Sequence, residues 1–223
     1  MDSSFVRLSL QNSQRFIPFD LSEPTLWVSM ISIAFSPAVW NIVARNEYRN
    51  HTLTRKVFGG NARAACHFLA AVIFSFGMLR DVLYRHALLQ QPHKLLLPQP
   101  WNTLVGGVLI IGGQALVMSS TWQLGITGTY MGDYFGILKD SRVEGFPFNV
   151  LRDPMYVGST ICFTGGAFWG ERPIGLLVSL WVYLVYAIAL QFEGPFTDMI
   201  YSTRAKLQAP EHYADDAEVK KRL

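Results

Sequence analysis

Few residues in this chain are placed to do chemistry, and most lie in its second half. The stretch 125–153 sets Tyr130, Tyr134, Phe135, Phe146 and Phe148 among the turn formers Gly125, Gly128, Gly132, Gly136, Gly145 and Pro147, and it carries Lys139, Arg142 and Arg152. Turn-rich loops of this composition commonly bind ligands. Basic side chains there can hold a phosphate, and aromatic faces, Tyr156 included, can cradle an organic cation. Glu193 follows a 19-residue apolar run (174–192) and stands close to Pro195, which puts a carboxylate at an expected membrane boundary. Such a group can bind a cation, accept a proton or simply end the span. Cys66 and Cys162 sit singly in apolar stretches with no CxxC and no metal-like spacing, so both read as buried residues and no metal site is expected. His212 and Tyr213 have no pattern around them and read as solvated.

The elements that must position these groups belong to a membrane. Half of the 223 residues are apolar and 16% are charged, with a net charge of +3. A soluble domain carries about 25% charge. A mean hydropathy of +0.22 excludes a solvated coil, and the small, dispersed positive charge excludes nucleic acid as a partner. The first 24 residues are polar and lack the apolar core of a signal peptide, so insertion must use an internal span. Run 25–44 is long enough to cross but contains Pro37, and a re-entrant or kinked segment is expected there. Run 64–79 spans marginally before Arg80 and Asp81, which read as interfacial. Residues 102–132 hold 31 positions without a charge and contain a secure span near 104–124. Residues 154–192 are broken only by Glu171-Arg172-Pro173, the turn of a helical hairpin whose first arm is rich in glycine. The expected fold is an all-α polytopic membrane bundle of three to four spans plus a possible re-entrant first helix. It divides into a polar segment at 1–24, a membrane-embedded domain at 25–205 and a polar tail at 206–223. Basic residues divide almost evenly between the two sides and orient nothing. The tail closes Lys220-Lys221-Arg222-Leu223, similar to a dilysine retrieval signal of the endoplasmic reticulum.

Four segments carry a resemblance: 125–139 (Gly-Ile-Thr-Gly-Thr-Tyr-Met-Gly-Asp-Tyr-Phe-Gly-Ile-Leu-Lys), 145–149 (Gly-Phe-Pro-Phe-Asn), 153–160 (Asp-Pro-Met-Tyr-Val-Gly-Ser-Thr) and 195–201 (Pro-Phe-Thr-Asp-Met-Ile-Tyr). In this order they resemble the phospholipid methyltransferases, and residues 35–48 are similar to the fungal members. The resemblance covers about residues 25 to 205. It implies an enzyme that uses S-adenosyl-L-methionine to carry phosphatidyl-N-methylethanolamine to the dimethyl lipid and on to phosphatidylcholine, in the endoplasmic reticulum membrane with a mitochondrial membrane as a second placement. It also implies three spans with an intramembrane first helix, the 125–153 loop in the lumen and the tail in the cytosol. The family's cofactor site is attributed to a Gly-x-Gly and a Glu-Glu. These fall on Ile111-Gly112-Gly113 and Glu193-Gly194, each with one residue altered.

Methyl transfer from a sulfonium to an amine is an in-line displacement, which asks a protein to align two reactants, remove a proton and exclude water. Glycines at 112 and 113 would let an adenosyl group lie against helix backbone, although glycines in spans also serve plain helix packing. Glu193 would bind the cationic donor or accept the proton, as cofactor ligand and catalytic residue, with Asp198 one turn on as a replacement for the lost second carboxylate. Lys139, Arg142 and Arg152 are expected to hold the lipid phosphate, and Tyr134 and Tyr156 the ammonium. The Pro-Met-Tyr-Val-Gly segment is also similar to isoprenylcysteine carboxyl methyltransferases, with Asp153 in place of a histidine. That activity, and a degenerate homologue that only binds lipid, are the rival readings.

Overall fold

A computed structural model describes residues 19–140 and 143–208. Helix α1 is Pro24–Asn50, followed by a π-helical turn, Thr52–Val57; α2 is Ala62–Leu89, α3 Trp101–Thr129, α4 Pro154–Trp169 and α5 Ile174–Gln208, with a 3-10 turn at Gly132–Phe135. No strand occurs among the described residues, and four helices (α1, α2, α3 and α5) are long and apolar enough to cross a membrane.

Helix α1 starts on Pro24, where the missing N–H removes no helical bond, and Glu23 caps it by accepting from the Thr25 N–H at 3.5 Å. The turn-back expected at Ser36-Pro37 does not occur, because α1 runs unbroken for 27 residues, about 40 Å of rise. Local side chains serve the carbonyls around the proline. Asn41 Nδ2 donates to the Pro37 carbonyl at 2.9 Å, and the Ser32 and Ser36 hydroxyls donate to Ser29 and Ser32 carbonyls at 2.7 and 3.1 Å. The proline removes the N–H that would bond the Ile33 carbonyl, and the helix continues through it. The chain leaves α1 through His51, at φ 49°, and the wholly buried Glu47 accepts from the N–H groups of Leu53 and Thr54 at 2.6 and 3.0 Å.

Helices α3 and α4 pack along their length because glycines let the backbones approach. A Cβ added at Gly113 would stand 2.5 Å from the Gly158 carbonyl, and one at Gly158 would stand 2.7 Å from the Gly113 carbonyl. With 16 residues α4 rises only about 24 Å, less than the roughly 30 Å core of a bilayer. It turns at Glu171–Pro173, as the sequence indicates, and α5 returns beside it. Arg172 pins this turn to α2 by donating from Nε to the Leu88 carbonyl at 3.1 Å. One apolar core joins Leu26 and Ile33 of α1 to Tyr84 of α2, Phe163 of α4 and Val178, Val182 and Tyr186 of α5. A second, at the opposite end, gathers Ala44, Cys66, Leu69, Tyr134, Phe135 and Ile200.

Helix α5 continues through Gly194 and Pro195 to Gln208, so the helix itself runs on past Glu193, where the apolar run stops. The loop after α3 and the C-terminal part of α5 also share one end of the bundle. Thr197 donates to the Asp133 carboxylate at 2.8 Å, the Lys139 N–H donates to the Tyr201 hydroxyl at 3.2 Å, and Arg204 donates to the Lys139 carbonyl at 3.2 Å. The α4–α5 hairpin thus brings the chain back to the end from which it left, so the loop and residues 197–204 share that end, while the tail beyond 208 lies outside the described residues.

Candidate active site

Glu193 is the centre of the site, and three helices hold it. Its Oε1 accepts from Trp40 Nε1 at 2.9 Å and from Asn41 Nδ2 at 2.7 Å, both on α1, and its Oε2 accepts from the Tyr156 hydroxyl of α4 at 2.5 Å. The unbroken course of α1 past Pro37 brings Trp40 and Asn41 to this point, and the close α3–α4 packing fixes the helix that carries Tyr156. All three donors are neutral. Among the described residues Glu193 makes no ion pair within 4 Å and is oriented by these hydrogen bonds, with the Arg45 guanidinium nearby, where Nη2 donates to the Phe192 carbonyl at 2.7 Å.

Glu193 faces a cavity of about 970 Å³ between α2, α3, α4 and α5, closed on one side by Trp40. Its wall is aromatic and apolar, with Tyr84, Tyr130, Tyr156, Phe163 and Tyr186 among the lining residues, and the charged groups on it are Glu193, Arg80 and Asp81. Tyr156 and Tyr186 meet edge to face at 4.8 Å, and the Arg80 guanidinium lies 5.0 Å from the Phe163 ring centre and donates to the Tyr186 hydroxyl. Such a space can admit an organic cation and keep bulk water from it.

The expected site residues distribute unevenly. Glu193 and Tyr156 come together on the cavity wall. Gly194 lies one residue beyond, where an added Cβ would stand 3.8 Å from Arg152 Nη2, and the Arg152 side chain is itself largely exposed, 4.0 Å from Asp153. Ile111 points outward with 72% of its surface exposed, Gly112 borders open space, and Gly113 is buried against Gly158. The same helix lines the cavity with Ile110, Gln114 and Val117 instead. Tyr134 is buried and stacks on Phe196 with centroids 4.9 Å apart, away from the cavity wall. Lys139 donates from Nζ to the Gln123 carbonyl at 2.6 Å, which ties the loop to α3. Arg142 lies outside the described residues, and Asp198 is exposed on α5 and does not line the cavity. Sequence reasoning missed Trp40, Asn41 and Tyr186, and it read Arg80 and Asp81 as interfacial. An ionisable pair within an otherwise apolar helix was the signal available for the last two.

The model of the family described as phospholipid methyltransferase matches residues 101–204, which hold the glycine contact of α3, all of α4 and Glu193. A phosphatidyl-N-methylethanolamine N-methyltransferase of Neurospora crassa is 52% identical over 190 residues, 85% of this chain and 88% of that protein. One of Saccharomyces cerevisiae is 51% identical over 189 residues, covering 84% and 90%. A phosphatidylethanolamine N-methyltransferase of Rattus norvegicus is 42% identical over 186 residues, covering 83% and 92%. No solved structure matches the chain. Identity at this level over nearly the whole length of each relative includes the helices that build the Glu193 cavity, and the chain belongs to the phospholipid methyltransferase family.

Proposed function

We propose that the chain is an S-adenosylmethionine-dependent N-methyltransferase that converts phosphatidyl-N-methylethanolamine to the dimethyl lipid and then to phosphatidylcholine. The observation that carries this reading is the Glu193 carboxylate, held by three neutral donors and facing a cavity inside a membrane bundle. A partly buried carboxylate held only by neutral donors, on the wall of a cavity in a membrane bundle, is placed to receive a bound cation. S-adenosylmethionine supplies, when bound, an electrophilic methyl group on a sulfonium.

Glu193 fits that cofactor as a fixed anion for its positive charges. Its three hydrogen bonds fix the carboxylate in one orientation, from which it can hold the cationic donor and accept the proton that the substrate ammonium must lose. Tyr156 and Tyr186 offer ring faces to the substrate ammonium, whose positive charge is attracted to them. The apolar mouth excludes water, which strengthens the charge interactions at Glu193. Gly113 contributes indirectly, by letting α4 approach α3 and so setting the position of Tyr156. For Ile111 and Gly112 the reading retains a backbone role only, beside the lining residues Ile110 and Gln114. The names of the relatives favour the monomethyl lipid as first substrate, and the dilysine-like tail, which lies outside the described residues, favours the endoplasmic reticulum membrane.

Membranes containing the chain, given methyl-labelled S-adenosylmethionine and the unmethylated, monomethyl or dimethyl lipid, test the reading. Label in the dimethyl and choline lipids, with little from the unmethylated one, is expected. No label on any lipid by folded protein would refute it and favour a degenerate homologue.

A further inference from the structure

Resting on the reading above, we infer that Arg80 is the receptor for the lipid phosphate. Arg80 is the basic residue on the cavity wall, and its side chain is only 14% exposed. A charge at this depth in a membrane-spanning helix is retained for a partner. Three of its five N–H groups are engaged: Nε and Nη2 donate to Asp81 Oδ1 at 3.0 and 2.9 Å, and Nη1 donates to the Tyr186 hydroxyl. One N–H on each terminal nitrogen is left to donate to phosphate oxygens. Asp81, Tyr186 and the Phe163 ring fix the plane of the guanidinium, so little order is lost when the anion binds.

The position suits the substrate. Tyr186 and Glu193 are seven residues apart on α5, a rise of roughly 10 Å. Arg80 and Glu193 thus mark two poles of opposite charge with the Tyr156–Tyr186 pair between them. The amine of an ethanolamine phospholipid lies two carbons beyond its phosphate oxygen. With phosphate on Arg80 the amine points along the tyrosine pair toward a donor held at Glu193. The cavity mouth between α2 and α3 is made of exposed apolar side chains, Phe74 and Met78 facing Met118, Trp122 and Ile126, as a path for acyl chains from the bilayer requires.

The test compares purified wild type, Arg80→Gln and Arg80→Lys on two methyl acceptors: short-chain phosphatidyl-N-methylethanolamine, and the matching diglyceride ether of N-methylethanolamine, which lacks phosphate. S-adenosylmethionine affinity is measured separately. Wild type is expected to prefer the phospholipid, and Arg80→Gln to lose roughly 10- to 100-fold in kcat/KM on it. The loss should lie in the lipid KM, with an intermediate value for Arg80→Lys, cofactor Kd within twofold of wild type, and the preference for phosphate collapsed. Equal losses on both acceptors would make Arg80 a merely structural tie and overturn the inference. So would a weakened cofactor Kd with the lipid KM unchanged, which would assign the guanidinium to the donor's carboxylate. Wild type that methylates neither acceptor would instead refute the methyltransferase reading.

Discussion

Replacing Glu193 with glutamine removes a charge while keeping the shape, and the geometry indicates the result. The amide oxygen can accept from Trp40 Nε1 and Asn41 Nδ2 as Oε1 does now. The amide nitrogen then faces the Tyr156 hydroxyl, which accepts as readily as it donates. No buried group loses its partner, so folding should be preserved and the melting temperature should move by a few degrees at most. What disappears is the attraction between a carboxylate and the cationic donor. Two unit charges about 4 Å apart interact by about 4 kcal/mol at an effective dielectric of 20, and hydrogen bonds to a charged group contribute about 1.5–3 kcal/mol net. A loss of about 2–4 kcal/mol corresponds to roughly 30- to 1,000-fold weaker binding, at 1.4 kcal/mol per tenfold. Equilibrium binding of labelled S-adenosylmethionine to the detergent-purified variant measures this without turnover. Binding within threefold of wild type, by a variant that melts like wild type, would refute the role given to this carboxylate.

Gly112→Ala and Gly113→Ala should differ sharply, because an added Cβ meets nothing within 4 Å at 112 but stands 2.5 Å from the Gly158 carbonyl at 113. Gly112→Ala is expected to keep wild-type stability and cofactor affinity, and Gly113→Ala to lose about 1–3 kcal/mol by overpacking, both read by thermal denaturation and cofactor binding. Gly194→Glu places its new carboxylate near Arg152 Nη2, so it should form an exposed ion pair and change cofactor affinity by less than about fivefold. A larger gain would mean that the second carboxylate reaches the cofactor. Glu47→Ala leaves the N–H groups of Leu53 and Thr54 without their acceptor, at about 1–3 kcal/mol each, and the melting temperature should fall by several degrees with cofactor affinity intact.

The parts of the fold legible in the sequence are those that a single local signal decides. A charge-free run marks α3, and Glu171-Arg172-Pro173 marks the hairpin turn. Helix α1 was harder to read, because proline signals a break in water, whereas here the helix continues through Pro37 between well-packed turns that carry Ile33 and Ala44 into the core. Glu193 was visible through resemblance, but the groups that hold it were not, since Trp40 and Asn41 lie on the first helix, far from it in sequence. The basic residues of the 125–153 loop illustrate the opposite difficulty. Lys139 has the right charge for phosphate, yet its ammonium is engaged by the Gln123 carbonyl. Which basic residue reaches the cavity depends on contacts between distant segments, and those do not appear in spacing.

Single-turnover transfer tests the central claim, that the cavity at Glu193 is where the methyl group moves. Gln114 lines this cavity from α3 and is exposed to it, so Gln114→Trp should narrow the cavity beside α4 and obstruct the bound reactants without entering the core. In nanodiscs containing the monomethyl lipid, wild type loaded with labelled S-adenosylmethionine should pass its label to the lipid, and Gln114→Trp, with an unchanged melting temperature, should not. Transfer by the plugged variant at the wild-type rate would place the chemistry elsewhere and contradict the account.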